Sequence, residues 1–180
     1  MKRGRLIQAQ QGVILIFCLI FLLVLSMMGM TGMQSAVLQE RMAGNLVSHA
    51  SAFHAAAAAL TEAQEWLATQ PLRPLPSTDG SSGVWWRDNP DPVGANAVPW
   101  WEEVDCLNSA WWQRYAREAS DFQLLANGPH WLIEEFGVFT DSASDDEQVV
   151  SYRITARGTG HADSVPVLLQ TIVVKTYPDE

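Results

Sequence analysis

The chain of 180 residues is poor in charge, poor in cysteine and, over its first third, almost without basic or acidic side chains. Charged residues make up 17% of it, against about 25% in an ordinary soluble domain. None occurs between Arg5 and Glu40, which excludes a wholly water-solvated N-terminal region. The two cysteines, Cys18 and Cys106, lie in different halves and are too far apart to bridge if the intervening helix is intact. The second half therefore has no internal disulfide. Basic charge is scarce there too. Residues 61–180 hold seven basic and nineteen acidic side chains, a net of −12, whereas residues 1–60 carry Lys2, Arg3, Arg5 and Arg41 against Glu40, a net of +3. An acidic domain repels nucleic acid, so no nucleic-acid partner is expected. Catalytic motifs are also missing. No Ser, His and Asp stand in a nucleophile or base pattern, and His49, His54, His130 and His161 lack zinc-ligand spacing. The chain is not read as an enzyme, and no cofactor or metal is expected. Asp141, Asp145, Asp146 and Glu147 could gather oxygens around calcium, but not with EF-hand spacing, and a charged hairpin tip explains them equally well.

What the sequence does have is sharply partitioned. All six methionines lie at or before Met42 and all eight tryptophans at or after Trp66. Val13–Leu25 is unbroken apolar sequence, and extending it to Met33 gives 21 uncharged residues. At 1.5 Å per residue that is ~31 Å, enough to cross the hydrocarbon core of a bilayer. Three positive charges precede the run, which places the N-terminus in the cytoplasm and exports the acidic part. An ordinary cleaved signal peptide is the alternative, since Gly29-Met30-Thr31-Gly32 imitates a cleavage site, although the apolar core is long for one. A second candidate site is Gln10-Gln11-Gly12, directly before the apolar run. Cleavage there leaves the apolar segment as the new N-terminus.

The sequence stays helix-friendly as far as Gln70, where Pro71, Pro74 and Pro76 stop it. Its outer half is rich in alanine, including Ala55–Ala59, which favours a helix and lets it lie close to a sheet. Leu46, Phe53, Leu60 and Leu67 recur every seven residues as an expected core-facing stripe. Residues 71–99 read as a Pro/Gly/Ser loop, and Trp100–Arg117 as a second helix with Trp100, Val104, Leu107, Trp111 and Tyr115 on one face. Trp131–Phe139, Val149–Arg157 and Val165–Tyr177 read as strands. The expected fold is α+β, a long helix laid on an antiparallel sheet of three to four strands. The pairs Trp85-Trp86, Trp100-Trp101 and Trp111-Trp112 serve mainly to fill a core. Adjacent rings point different ways, so at least one of them is expected to stay partly exposed.

The N-terminal third resembles a known family. Gln10-Gln11-Gly12, Ile20-Phe21-Leu22-Leu23-Val24-Leu25, Met33-Gln34-Ser35, Glu40-Arg41-Met42-Ala43-Gly44-Asn45 and Ala52-Phe53-His54-Ala55-Ala56 occur in the order found in PilX-type minor pilins of the type IV pilus. The similarity covers roughly residues 8–67; beyond residue 70 only the general type IV pilin-like plan matches. The resemblance implies a basic prepilin leader over residues 1–12, a transmembrane and filament-core helix over 13–33, its exported half over 34–70, a loop and Trp-rich insertion over 71–130, and strands over 131–180. It implies that prepilin peptidase cuts between Gly12 and Val13 and that Val13 becomes the methylated N-terminus. Most pilins have Glu at the fifth mature position; here it is Phe17, as in the PilX subgroup.

That departure has a physical consequence. A charged amine inside an apolar helix bundle costs several kcal/mol, as an order of magnitude, unless it is paired. Phe17 cannot accept the amine of a neighbouring subunit, so this chain suits a unique position such as the tip better than a repeating one; the alternative is that Phe17 simply makes the segment more lipid-like. The implied function is priming of pilus assembly from the inner membrane. The implied partners are other minor pilins, the major pilin, a tip adhesin-like protein and prepilin peptidase; twitching motility and cell adhesion are among the processes such pili serve. Two rival readings are a pseudopilin of a type II secretion system and a single-pass protein presenting a Trp-rich sugar-binding domain to the periplasm.

Overall fold

The computed structural model describes residues 8–91, 94, 96–103, 108–120, 128–140, 147–160 and 166–178. They fall in two units, one ending at Leu46 and one beginning at Val47. One helix, α1 (Gln8–Thr69), supplies every described residue of the first unit and opens the second. In the first unit every side chain from Val13 to Leu46 is exposed. The window richest in apolar residues reaches a mean hydropathy of 3.0, with none of it buried. The helix is long and apolar enough to cross a membrane. Its backbone hydrogen bonds are satisfied internally, while its side chains from Val13 to Leu46 pack on none of the described residues of the second unit's core.

The second unit follows from the expected elements. After α1 come β1 (Trp85–Trp86), a 3₁₀ turn (Trp100–Glu102), α2 (Ser109–Tyr115), β2 (Arg117–Glu118), β3 (His130–Thr140), β4 (Glu147–Gly158) and β5 (Val167–Pro178). The α+β class expected from the sequence holds, and each of the three long strands lies within two residues of its expected bounds. β3, β4 and β5 form an antiparallel meander, with Ile133 opposite Ile154 and Ile154 opposite Thr171. The sheet as a whole is mixed, not purely antiparallel. β1 adds parallel to β3 at Trp85–Glu134, and β2 adds antiparallel to it at Arg117–Trp131. Strands of two residues carry no period to read, so these edge additions escape sequence analysis.

The expected second helix is shorter than Trp100–Arg117. Asn108 caps α2 by accepting from Ala110 N at 3.0 Å, so the helix starts there; Val104 and Leu107 lie outside the described residues. Trp112, which is not among the residues of the expected face, is fully buried, and Tyr115, which is, is exposed.

The heptad stripe on α1 is also corrected. Leu67 is buried and Leu60 half-buried, but Leu46 is 71% exposed and Phe53 46% exposed. The face that meets the sheet is Ala52, Ala56, Ala59, Ala63 and Leu67, flanked by Ala55. A seven-residue repeat drifts by ~20° per heptad around a straight helix. Over the two heptads from Leu67 back to Phe53 the stripe therefore rotates off the sheet, and the alanines take its place. Small residues there let the backbones approach. At Gly158 on β4 an added Cβ would fall on the Ala52 carbonyl oxygen and the Ala56 backbone nitrogen. Backbone cannot rotate aside as a side chain can. Gly158→Ala should therefore cost about 2–3 kcal/mol, the upper part of the range for overpacking. Urea unfolding of the two proteins checks this; equal midpoints would show that the helix is free to shift.

The helix ends against the sheet it covers. Lys175 Nζ on β5 donates to the carbonyls of Leu67 at 2.8 Å, Ala68 at 3.1 Å and Gln70 at 2.6 Å. No basic residue lies in the last turn of α1. Lys175 therefore supplies from a distant strand the cation that the carbonyl-rich helix end favours. The loop after Pro71 is fastened beside it, where Arg73 Nη2 pairs with Glu135 Oε1 at 2.9 Å and Nη1 donates to Gln148 Oε1 at 3.1 Å.

Candidate functional site

Strand alternation gives the sheet two unlike faces. Trp131 and Ile133 of β3, with Val150, Tyr152, Ile154 and Ala156 of β4, meet α1 and build one core. Burial pushes the phenol pKa of Tyr152 and of Tyr177 upward, which keeps both neutral. The alternate residues, Leu132 and Glu134 of β3 with Arg153 and Thr155 of β4, face the other way. There Trp85, Trp100, Trp111, Trp112 and Leu132 form a second core. Trp100 stacks on Trp111 at 5.3 Å and 27°, and Trp111 meets Trp112 edge to face at 5.4 Å. Five of the eight Trp are buried; Trp66 and Trp101 are half-buried and Trp86 is exposed. The expectation that the Trp pairs mainly fill a core therefore holds. In the pairs at 85–86 and 100–101 one ring is more exposed than the other, while Trp111 and Trp112 are both buried.

Within this second layer lies a buried ion pair. Glu134 is fully buried and stands directly opposite Arg153 in the β3–β4 register. Arg153 Nε donates to Glu134 Oε2 at 2.9 Å and Nη2 donates to Oε1 at 2.8 Å, a bidentate fork. Glu134 Oε1 also accepts from the Asp88 backbone N–H at 2.9 Å, and both carboxylate oxygens accept from Trp100 Nε1, at 3.2 and 3.3 Å. Arg153 Nη2 reaches Asp88 Oδ1 at 2.6 Å, and its guanidinium lies 4.2 Å from the Trp101 ring centre. Burial opposes the Arg153 charge, but the Glu134 and Asp88 carboxylates outweigh it and hold its pKa above the ordinary value. Asp88 itself has φ 57°, a left-handed conformation that its tie to Glu134 and Arg153 holds in place. One carboxylate thus pins β1, β3, β4 and the Trp100 turn together. Its oxygens are all engaged, so this is a structural clamp and not an acid or base waiting for a substrate. A cleft of about 340 Å³ opens beside it, lined by Arg87, Asp88, Asp91, Asn96, Trp101 and Arg153 among others. Sequence reasoning missed the clamp. The visible signal is Glu134-Glu135 inside an otherwise apolar strand, together with Arg153 inside another.

A second buried polar group sits at the start of the same strand. His130 lies opposite both Glu118 of β2 and Arg157 of β4, and its Nδ1 has no hydrogen-bond partner among the described residues. Burial lowers its pKa, with Arg157 acting in the same direction; the Gly128 backbone and Glu118 oppose the shift without cancelling it. The unfolded chain therefore takes up a proton first as the pH falls below ~6.5. Stability is full above that value and declines as the pH drops towards the lower folded pKa. Denaturant midpoints should fall between about pH 7.5 and 5.5 in the native protein and fall less in His130→Asn. Parallel curves for the two would remove His130 as the cause.

The residues marked by the family resemblance lie in the first unit. Gly12, Val13 and Phe17 all lie on α1, and Val13 and Phe17, four apart, share a helix face. Val13 is 54% and Phe17 68% exposed. Cys18 is free and exposed beside them. Among the described residues no three His, Cys, Asp or Glu side chains gather in metal-binding proximity. Cys106, His161, Asp141, Asp145 and Asp146 lie outside those residues.

Comparison with known families covers nearly the whole chain. Residues 11–61 match the PilX N-terminal family and residues 55–175 match the type IV pilus assembly protein PilX C-terminal family. No curated protein and no solved structure matches it. The two family matches overlap within α1, the first taking in the apolar helix and the second the Ala face, the Trp layer and the sheet. With its apolar helix leading into a helix-on-sheet domain, the chain belongs to the PilX family of type IV pilus assembly proteins.

Proposed function

We propose that the chain is a minor pilin that primes type IV pilus assembly, near the tip of the filament, after prepilin peptidase removes residues 1–12. The observation that carries this reading is Phe17, in an apolar helix that belongs to a pilus assembly family. In this account the subunit first rests in the inner membrane with its N-terminus cytoplasmic and its acidic domain in the periplasm. Cleavage exposes the Val13 amine, which is then methylated. Other minor pilins gather with it through their apolar helices. A repeating subunit must offer an acceptor for the amine of its neighbour; Phe17 offers hydrocarbon. The chain therefore occupies a position where the neighbour whose amine would meet residue 17 is absent; its partners there are the other minor pilins, the major pilin and a tip adhesin-like protein. It has no catalytic role in this account.

Membership of a pilus assembly family favours this reading over the type II secretion pseudopilin. Burial of most of the Trp rings weighs against a sugar-binding platform, which needs free indole faces.

Processing is the first step to test. Intact-mass analysis of protein extracted from membranes should give a chain that begins at methylated Val13. Gly12→Glu, which puts a charge at the scissile position, should leave the full-length precursor. A full-length native chain in cells with active peptidase, or a start after Gly32, contradicts the reading.

A further inference from the structure

β5 ends the sheet. It pairs with β4 alone among the described strands, so from Val167 to Tyr177 its outer edge carries N–H and C=O groups with no ladder partner among the described residues, and proline stands only at its last position, Pro178. Folded proteins guard such edges with free charge, proline or a covering element. Between Val167 and Tyr177 the one charged side chain is Lys175, and its ammonium is turned inward onto the carbonyls at the end of α1. The residue type that elsewhere repels an incoming strand is thus engaged in another task. On the face away from α1 the Trp layer packs on Leu132 and Leu168, yet Ile172 and Val174 are 58% and 61% exposed. Phe139, in line with Thr176 through Val149, extends this apolar strip on the same face and is equally bare.

We propose that β5 is a docking edge for an extended strand of a different polypeptide, which joins the sheet beside it and covers Ile172 and Val174 with apolar residues at alternate positions. Charge selects that occupant over a second copy of this chain. Residues 61–180 carry a net −12, and a second copy brings the same charge to the same edge. An edge without free charge on an acidic domain fits a strand that is uncharged where it pairs and basic in its flanks. Docking needs only a partner chain within reach and does not depend on where in a pilus the subunit sits.

The test uses the full-length protein in its own cells, with a photo-crosslinking amino acid placed singly at Ile172, Val174 or Thr176, and at exposed Leu75 as a control. At least two of the β5 positions should give an adduct with one other polypeptide, in yield about tenfold above Leu75. Peptide mapping should locate the partner residues in a segment that alternates apolar and polar side chains and has basic flanks. Val174→Lys, combined with the probe at Thr176, should lower that yield about fivefold while thermal melting is unchanged, because residue 174 faces solvent in the free chain. An adduct of two copies of this chain overturns the proposal. So do equal yields from Leu75, no adduct from β5, or a partner segment that is acidic or lacks alternation.

Discussion

Glu134→Ala is expected to destabilise the globular unit by about 3–5 kcal/mol, the usual cost of leaving a buried charge without its partner. Arg153 would keep Asp88 but lose both arms of its fork to Glu134. The Asp88 N–H and the Trp100 indole N–H would lose their acceptor in the same stroke. Typical domains have 5–15 kcal/mol in total, so the variant should sit at the margin of folding at growth temperature. The double substitution Glu134→Leu with Arg153→Met separates pair from packing. Removing both charges lifts the desolvation cost of each, so the double variant should be more stable than Glu134→Ala even though it changes more atoms. Chemical unfolding followed by Trp fluorescence reads both, since Trp100 is itself a ligand of the carboxylate. A double variant less stable than the single one would mean that the clamp holds the layers by hydrogen-bond geometry and not by charge pairing.

Loss of the whole chain from cells should strip most pili from the surface and leave the major pilin accumulated in the membrane. The expectation comes from the nucleation step. Each ~1.4 kcal/mol added to the barrier for starting a filament slows initiation about tenfold, while the stability of a filament already formed is untouched. Disabling retraction as well should therefore return some pili, because rare starts are no longer erased. Electron microscopy and immunoblots of sheared and membrane fractions read this directly. Normal pilus numbers after deletion, or no recovery when retraction is blocked, would mean that the chain does not set the rate of initiation. Phe17→Glu should be tolerated in the membrane, since a protonated Glu costs less there than a carboxylate. If the proposed priming role holds, it should also let the subunit enter at more than one position.

The parts of this molecule that were legible in its sequence are those whose signal is local. An uncharged run from Leu6 to Gln39 announces its helix without reference to anything else in the fold. β3, β4 and β5 announce themselves by Val, Ile, Thr and aromatic residues in runs of a strand's length. The Ala segment promised close packing, and Gly158 supplies the other half of that contact. What escaped depends on register. Glu134 and Arg153 are nineteen residues apart and become opposite only when β3 and β4 pair as they do, with an irregularity between Glu135 and Gly137 that shifts the later residues. The two-residue strands β1 and β2 exist only because β3 offers an edge. The heptad of large residues misled because it is the eye's strongest pattern on α1, while helix geometry turns it away from the sheet.

In the proposed role this chain acts at the start of a filament in a fixed, small number of copies. Quantitative mass spectrometry of sheared pili, calibrated with isotope-labelled peptides of this chain and of the major pilin, tests it most directly when repeated on pili of different mean length. A tip-priming subunit predicts a ratio to the major pilin far below one that falls in inverse proportion to filament length, with immunogold label at one end. A ratio that stays constant with length, or approaches one, with label spread along the shaft, would contradict it.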